Sequence, residues 1–263
     1  MEFDFQQLLK TFELRELKSE ADLIDHLTLR RKIYKNEYSD EYLENEYDLL
    51  PSDWKANLIG IFFQEQQIAT IRVVKRNINT AIEKQLTIIN QRFGLKIVPD
   101  TSDLLPTEYA FDIESEENID FKSATVELSR VAVSAEFRGL GLCRFALLAA
   151  VGISILDNSK YCLYSCSIDS IKFHSDLIPM MKGITTKQKT NGYPGFKFPV
   201  SSAAILSEIQ HIPQAHTNQA ILAGIVCRYG IGVLGNDFIG KQSRLFPDDT
   251  IHFPNNYRSS SQQ

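Results

Sequence analysis

The stretch Thr125–Leu156, TVELSRVAVSAEFRGLGLCRFALLAAVGISIL, decides the fold. Its first part, Val126 to Val133, is rich in β-formers and reads as a strand. Its last part, Leu142 to Leu156, is a long apolar run that reads as a helix. Between them lies Arg138-Gly139-Leu140-Gly141. Glycines let backbone approach a ligand closely, and the N–H groups opening the next helix, with its dipole, favour an anion. Arg138 adds a charge-assisted bond. A strand, turn and helix of this kind is expected to hold a phosphate.

Upstream, Asn57–Phe63 and Gln67–Val74 are β-rich runs joined by Gln64-Glu65-Gln66, which predicts an antiparallel hairpin. Phe5, Leu8, Leu9 and Phe12 recur at helical spacing, and Ser19 followed by Asp22 caps a second helix that runs to about Glu37. Tyr38 to Trp54 is dense in tyrosine and carboxylates and reads either as a solvated loop or as a lid. Thr80 to Phe93 has a helical pattern closed by Gly94, and Pro99 to Phe121 is polar and irregular.

Downstream, Tyr161 to Ile168 reads as a buried strand and Ser170 to Met181 as a short helix. Gly183 to Val200 holds two short strands about Gly192-Tyr193-Pro194-Gly195. Ser201 to Gln210 and Pro213 to Val226 read as two helices, and Asn255 to Gln263 as a frayed tail. The expected fold is α/β, a mixed, twisted central sheet flanked by helices. Residues 1–200 form its domain and 201–263 a C-terminal extension of two helices, a Gly-rich loop and a tail.

With 43% hydrophobic and 23% charged residues, the 263-residue chain has the composition of an ordinary globule. A net charge of -5 argues against a protein that holds a nucleic-acid backbone. The N-terminal MEFDFQQLLKTFE lacks a basic n-region and an apolar core, and Phe145 to Leu156 is too short to span a bilayer, so a cytoplasmic location without a transmembrane segment is expected. Cys143, Cys162, Cys166 and Cys227 form no CxxC pair and read as reduced, buried residues. His211 with His216, and Cys162 with Cys166, match no tetrahedral spacing, so no metal is expected. Gly230-Ile231-Gly232-Val233-Leu234-Gly235 is formally GxGxxG, but no convincing helix follows it.

Arg138, Gly141 and Cys143, after Val131-Ala132-Val133 and before an apolar helix, resemble the Arg-x-x-Gly-x-(Gly/Ala) acyl-CoA-binding motif of the GNAT superfamily of N-acyltransferases. Glu127-Leu128-Ser129-Arg130 resembles more narrowly the Glu-x-x-Arg of the N-acyl amino acid synthases and acyl-homoserine-lactone synthases in that superfamily. Leu29-Arg30, Tyr47-Asp48 and Ile71-Arg72 stand in the matching order upstream, and the resemblance covers roughly residues 15 to 200.

The resemblance implies transfer of an acyl group from acyl-CoA or an acyl carrier protein to the amino group of a small amine, amino acids included. No permanently bound cofactor is implied. Val131, Ala132 and Val133 would meet the donor by main chain where two neighbouring strands diverge after Val133. Arg138, Gly139, Leu140, Gly141, Leu142 and Cys143 would hold its phosphate. Glu127 would be the base, and Arg30, Asp48, Arg72 and Arg130 would shape the acceptor side. Many relatives place a tyrosine on the helix after the next strand; Ser170 to Met181 has none, and His174 is the nearest titratable substitute. A carrier protein would need a basic patch, for which Arg138, Arg144 and Lys122 are candidates. Two other readings stand beside this one: an inactive acyl-CoA sensor, and an acyl-homoserine-lactone synthase using S-adenosylmethionine.

Strict alternation puts Glu127 and Ser129 on one face of their strand and Arg130 with Leu128 on the other. Direct pairing of Glu127 with Arg130 would require a bulge or twist.

Overall fold

The computed structural model describes residues 3–37, 46–111, 113, 124–167, 181–185, 192–193, 196–197, 202–209 and 212–231. Helix α1 (Phe5–Thr11) is capped by Asp4, whose Oδ1 accepts from Gln7 N at 2.9 Å. Strand β1 (Glu13–Glu16) leads to α2 (Glu20–Glu37), opened by the Ser19 hydroxyl, which accepts from Asp22 N. Strands β2 (Ala56–Phe63) and β3 (Gln66–Val74) form the expected hairpin. Its turn puts Gln64 and Glu65 both at left-handed φ, 49° and 65°, the backbone for which asparagine and glycine are the commoner choice. Helices α3 (Glu83–Arg92) and α4 (Pro106–Ala110) follow, then β4 (Thr125–Val133), α5 (Leu142–Leu156) and β5 (Tyr161–Ser167). Next come β6 (Met181–Thr185), the small pair β7 (Gly192–Tyr193) and β8 (Phe196–Lys197), β9 (Ser202–Glu208) and α6 (Gln214–Tyr229).

Among the described residues, seven strands make one mixed sheet in the order β1-β2-β3-β4-β5-β9-β6. Helices α1, α5 and α6 bury one face of it through Leu8, Phe145, Leu148 and Ala223, against Ile71, Val73 and Leu128. Leu23 and Leu27 of α2 and Leu86 and Ile89 of α3 cover the other face, against Leu58, Val74 and Leu163. The apolar run of α5 that was legible in the sequence is buried without a break from Phe145 to Ser154, with one side on the sheet. Its outer side is closed by α6, where Gly152 and Gly224 meet: a Cβ on Gly152 would stand 1.9 Å from Ala220 O, and one on Gly224 2.6 Å from the Gly152 carbonyl carbon. The two backbones touch there.

The sheet opens in its middle. Strand β4 pairs in parallel with β5 only through Thr125↔Tyr161, Val126↔Cys162 and Glu127↔Leu163. Beyond Glu127 the two strands part. The divergence expected after Val133 thus begins at Leu128, still within the strand. On its other side β4 stays paired with β3, but Arg72 faces Ser129 while Thr70 faces Ala132. Arg130 and Val131 together oppose Ile71, a β-bulge in which Arg130 adopts φ 57°.

Several expectations are corrected. Ser201 to Gln210 is not a helix: its residues 202–208 are β9, hydrogen-bonded between β5 and β6. Every residue of β9 is buried, so no alternation marks the strand, and its Ala, Leu and Glu residues favour helix when read alone. A boundary at residue 200 consequently falls inside the sheet. The described part of Tyr38 to Trp54 is neither solvated loop nor lid, since Asp48, Leu49, Leu50, Ser52, Asp53 and Trp54 are buried and Tyr47 stacks on Phe93 at 4.2 Å. Pro99 to Phe121 is not wholly irregular, because it contains α4. The helix expected over Ser170 to Met181 falls mostly outside the described residues, though Met181 itself begins β6, and residues 232–263 lie outside them altogether. Among the described residues no helix is long and apolar enough to cross a membrane.

Candidate functional site

The bulge moves Arg130. Without the extra residue it would point with Leu128 into the α5 side; with it, Arg130 reaches the α2 side, where its Nη2 lies 3.3 Å from Asp48 Oδ1. Arg30, from the middle of α2, donates to Asp48 Oδ2 at 2.8 Å, to Asp48 O at 2.6 Å and to Asp53 Oδ1 at 3.0 Å. Arg72, on β3, donates to the same Asp53 Oδ1 at 2.8 Å and to Ser129 Oγ at 2.8 Å. Four predicted residues, Arg30, Asp48, Arg72 and Arg130, are thereby assembled into one buried cluster.

The charges explain the titration of its members. Burial alone would raise Asp53, but Arg30 and Arg72 beside it hold its carboxyl well below the usual range. Burial likewise opposes charge on Arg30, yet Asp48 and Asp53 raise its pKa. Arg130 is lowered, chiefly by burial, with Asp48 and Tyr34 acting against that loss. His26, fully buried and with Nδ1 2.6 Å from Thr70 Oγ1, is driven well below its ordinary value by burial and by Arg30, and is neutral.

Glu127 lies on this same face, with Leu163 as its register partner. Its Oε2 accepts from Thr107 N at 2.7 Å. Pro106 has no N–H to give, so Thr107 supplies the first donor of α4. Burial raises the Glu127 pKa, while Arg72 and the Thr107 bond pull the other way. A carboxyl shifted upward in this manner is suited to take a proton from an ammonium or its water. The Thr107 segment is itself fixed: buried Lys55 donates to Asp100 Oδ2, Ser102 O and Leu104 O at 2.9, 3.1 and 2.8 Å.

At the far end of β4 stands the turn. Gly139 and Gly141 take φ 81° and 79°, values that an L side chain adopts only under strain. Gly141 caps α5, and its carbonyl accepts the first intrahelical bond, from Phe145 N at 3.0 Å. The N–H groups of Leu142, Cys143 and Arg144 therefore have no helical acceptor behind them. Leu140 and Leu142 are buried and anchor the turn, whereas Gly139 faces open space and Arg138 is exposed, its Nε donating to Val133 O at 3.3 Å. The Cys143 thiol is pushed up to about 11 by burial and packs as an apolar residue. Ala132 is buried, and the Val131 carbonyl accepts from the Tyr34 hydroxyl at 3.0 Å.

The remaining candidates fall away from this site. Arg144 lies over the Phe3 ring at 4.3 Å and 2.9 Å from His216 Nε2, so it faces the α6 side. Lys122, His174 and His211 lie outside the described residues. Cys162 and Cys166 stay protonated, pushed up by burial to about 12 and about 11. Among the described residues no group of three His, Cys, Asp or Glu is placed to hold a metal. Gly230 follows helix α6 rather than a strand, and closes it with φ 81°.

Sequence reasoning missed His26, Tyr34, Asp53 and Ser129. A signal existed for the first two: His26, Arg30 and Tyr34 recur every fourth residue and lie along one stripe of α2.

No protein-family model matches the chain, and no curated protein does. Solved structures similar to it include a putative N-acetyltransferase from Lactobacillus plantarum, 11% identical, TM-score 0.46, over 76% of this chain and 99% of that one. FeeM, an N-acyl amino acid synthase from uncultured soil microbes, is 12% identical with TM-score 0.48, over 81% and 96%. The acyl-homoserine-lactone synthase LasI is 14% identical with TM-score 0.46, over 79% and 92%. The reading of the site rests on this chain's own residues.

Proposed function

We propose that the protein is an N-acyltransferase that moves an acyl group from acyl-CoA or an acyl-carrier-protein thioester to the amino group of a small amine bearing a carboxylate, such as an amino acid. The observation that carries this reading is that one strand, β4, serves both ends of such a reaction. It leaves Glu127 and Arg130 at a buried polar cluster and ends in a turn suited to phosphate, with an unzipped edge between them. Six residue steps from Glu127 to Val133 span roughly 20 Å of strand, a length suited to an extended pantetheine arm.

The donor's phosphate is held by Arg138 and the N–H groups of Leu142 to Arg144. Its pantetheine amides pair with the β4 edge beyond Glu127, as an added strand would. Arg130, whose Nη2 lies 3.3 Å from Asp48 Oδ1 at the edge of the cluster nearest the opened strand, is the group that meets the acceptor carboxylate. Glu127, directly or through a water, takes the proton from the attacking nitrogen, and the thiolate leaves without needing a specific acid.

The test is thioester consumption with acyl-CoA donors of increasing chain length against a panel of amino acids, with S-adenosylmethionine as a further acceptor. Turnover with an amino acid supports the proposal, and release of a homoserine lactone would replace the acceptor. The hydrogen bond from Thr107 N to Glu127 favours one rival, a thioester-binding protein without turnover. Calorimetric binding of acyl-CoA with no product from any acceptor would establish that rival.

A further inference from the structure

Tyr34 touches both functional halves of β4 from a single side chain. Its hydroxyl donates to Val131 O at 3.0 Å, and its ring lies under the Arg130 guanidinium, 4.8 Å from the centroid. Those are the two residues of the bulge, the place where β4 breaks register with β3 after it has parted from β5. A bulge disrupts its ladder locally, and a displaced carbonyl needs a donor. Here α2 supplies it across 97 residues of sequence. The same helix carries Arg30 one turn earlier, so the bulge and the charged cluster are braced from one rigid element.

We propose that Tyr34 is a positioning residue that latches the β4 bulge: its hydroxyl sets the main chain that meets the acyl donor, and its ring sets the guanidinium that meets the acceptor. The proposal rests on the acyl-transfer reading. It separates two roles within one side chain, because Tyr34→Phe removes the hydroxyl and keeps the ring, whereas Tyr34→Leu removes both. Without its donor, the Val131 carbonyl turns to solvent and the opened edge of β4 loses its register for pantetheine. Without the ring, Arg130 also loses the surface it lies on.

The experiment measures calorimetric affinity for decanoyl-CoA, the KM of donor and of amino acid, and amide exchange over 129–134 in wild type and both variants. Tyr34→Phe is expected to weaken the donor roughly five- to tenfold, to leave the acceptor KM unchanged and to speed exchange at the bulge. Tyr34→Leu is expected to weaken both substrates. Wild-type donor affinity and exchange in Tyr34→Phe would overturn the latch while leaving acyl transfer standing. Equal loss for donor and acceptor in Tyr34→Phe, with a matching fall in thermal stability, would also overturn it by showing a merely structural contact. A wild-type protein that bound no thioester would overturn the acyl-transfer reading and the latch with it, even if exchange at the bulge still responded.

Discussion

Arg30 and Arg72 share a single carboxylate oxygen: Asp53 Oδ1 lies 3.0 Å from one guanidinium and 2.8 Å from the other, with all three side chains buried. Removing that charge takes the carboxylate partner from buried Arg72 and leaves Arg30 with Asp48. Asp53→Asn is therefore expected to cost about 3–5 kcal/mol in chemical denaturation. Acid should act on the same group. Its folded pKa is depressed, so its stabilisation is complete above the ordinary carboxylate value of about 4 and is lost as pH falls below that. The variant should show a shallower loss of stability in that window.

Glu127 has the opposite sign. Its pKa is raised by burial, so the folded protein holds the proton more tightly, and stability from this group falls as pH rises above about 4.3. The acid limb of the rate profile should lie above that value. Glu127→Gln is expected to lower kcat by about 10²–10⁴ while leaving donor affinity intact. Unchanged turnover with lowered stability would make Glu127 only the cap of α4.

Gly139 and Gly141 share a left-handed φ but not their surroundings. An added Cβ meets nothing at Gly139, and at Gly141 it stands 2.9 Å from Phe3 Cδ2. Gly139→Ala should cost about 1 kcal/mol of backbone strain alone, and Gly141→Ala more. Arg138→Ala should leave stability untouched and weaken acyl-CoA by about tenfold, with less effect on a donor lacking the nucleotide phosphates. Equal loss for both donors would remove Arg138 from the phosphate site.

At the crossing of α5 and α6 no side chain can yield, because the atoms that a new Cβ would strike are backbone. Gly152→Ala should destabilise by about 3 kcal/mol or more, well beyond a typical overpacking change. Thermal unfolding measures this directly. Near-normal stability would mean that the two helices can slide apart.

The strand, turn and helix from Val126 to Leu156 were legible because a β-former-rich run, a Gly-bearing turn and a long apolar run follow one another, and the glycines fall where φ turns positive. The cluster was only half legible. Arg30, Asp48, Arg72 and Arg130 could be ordered along the chain, yet alternation assigned Arg130 to the wrong face, since a bulge leaves no mark in residue type. Asp53 sits in a Pro-Ser-Asp run that reads as exposed turn, and only the tertiary structure buries it. Strand β9 was missed for a related reason: complete burial on both faces erases period, and propensity then favours the wrong element.

The place of β9 has a consequence for how the chain must be made. Strands β5 and β6 each hydrogen-bond to residues that follow them, and those residues are not synthesised until position 208. Until then β5 presents an unpaired edge, and the α5 face that receives α6 is bare. A nascent or truncated chain ending near residue 200 therefore carries an aggregation-prone edge beside an open apolar surface. Among the described strands β9 is the last to be made, and it is the one that closes the β5 edge.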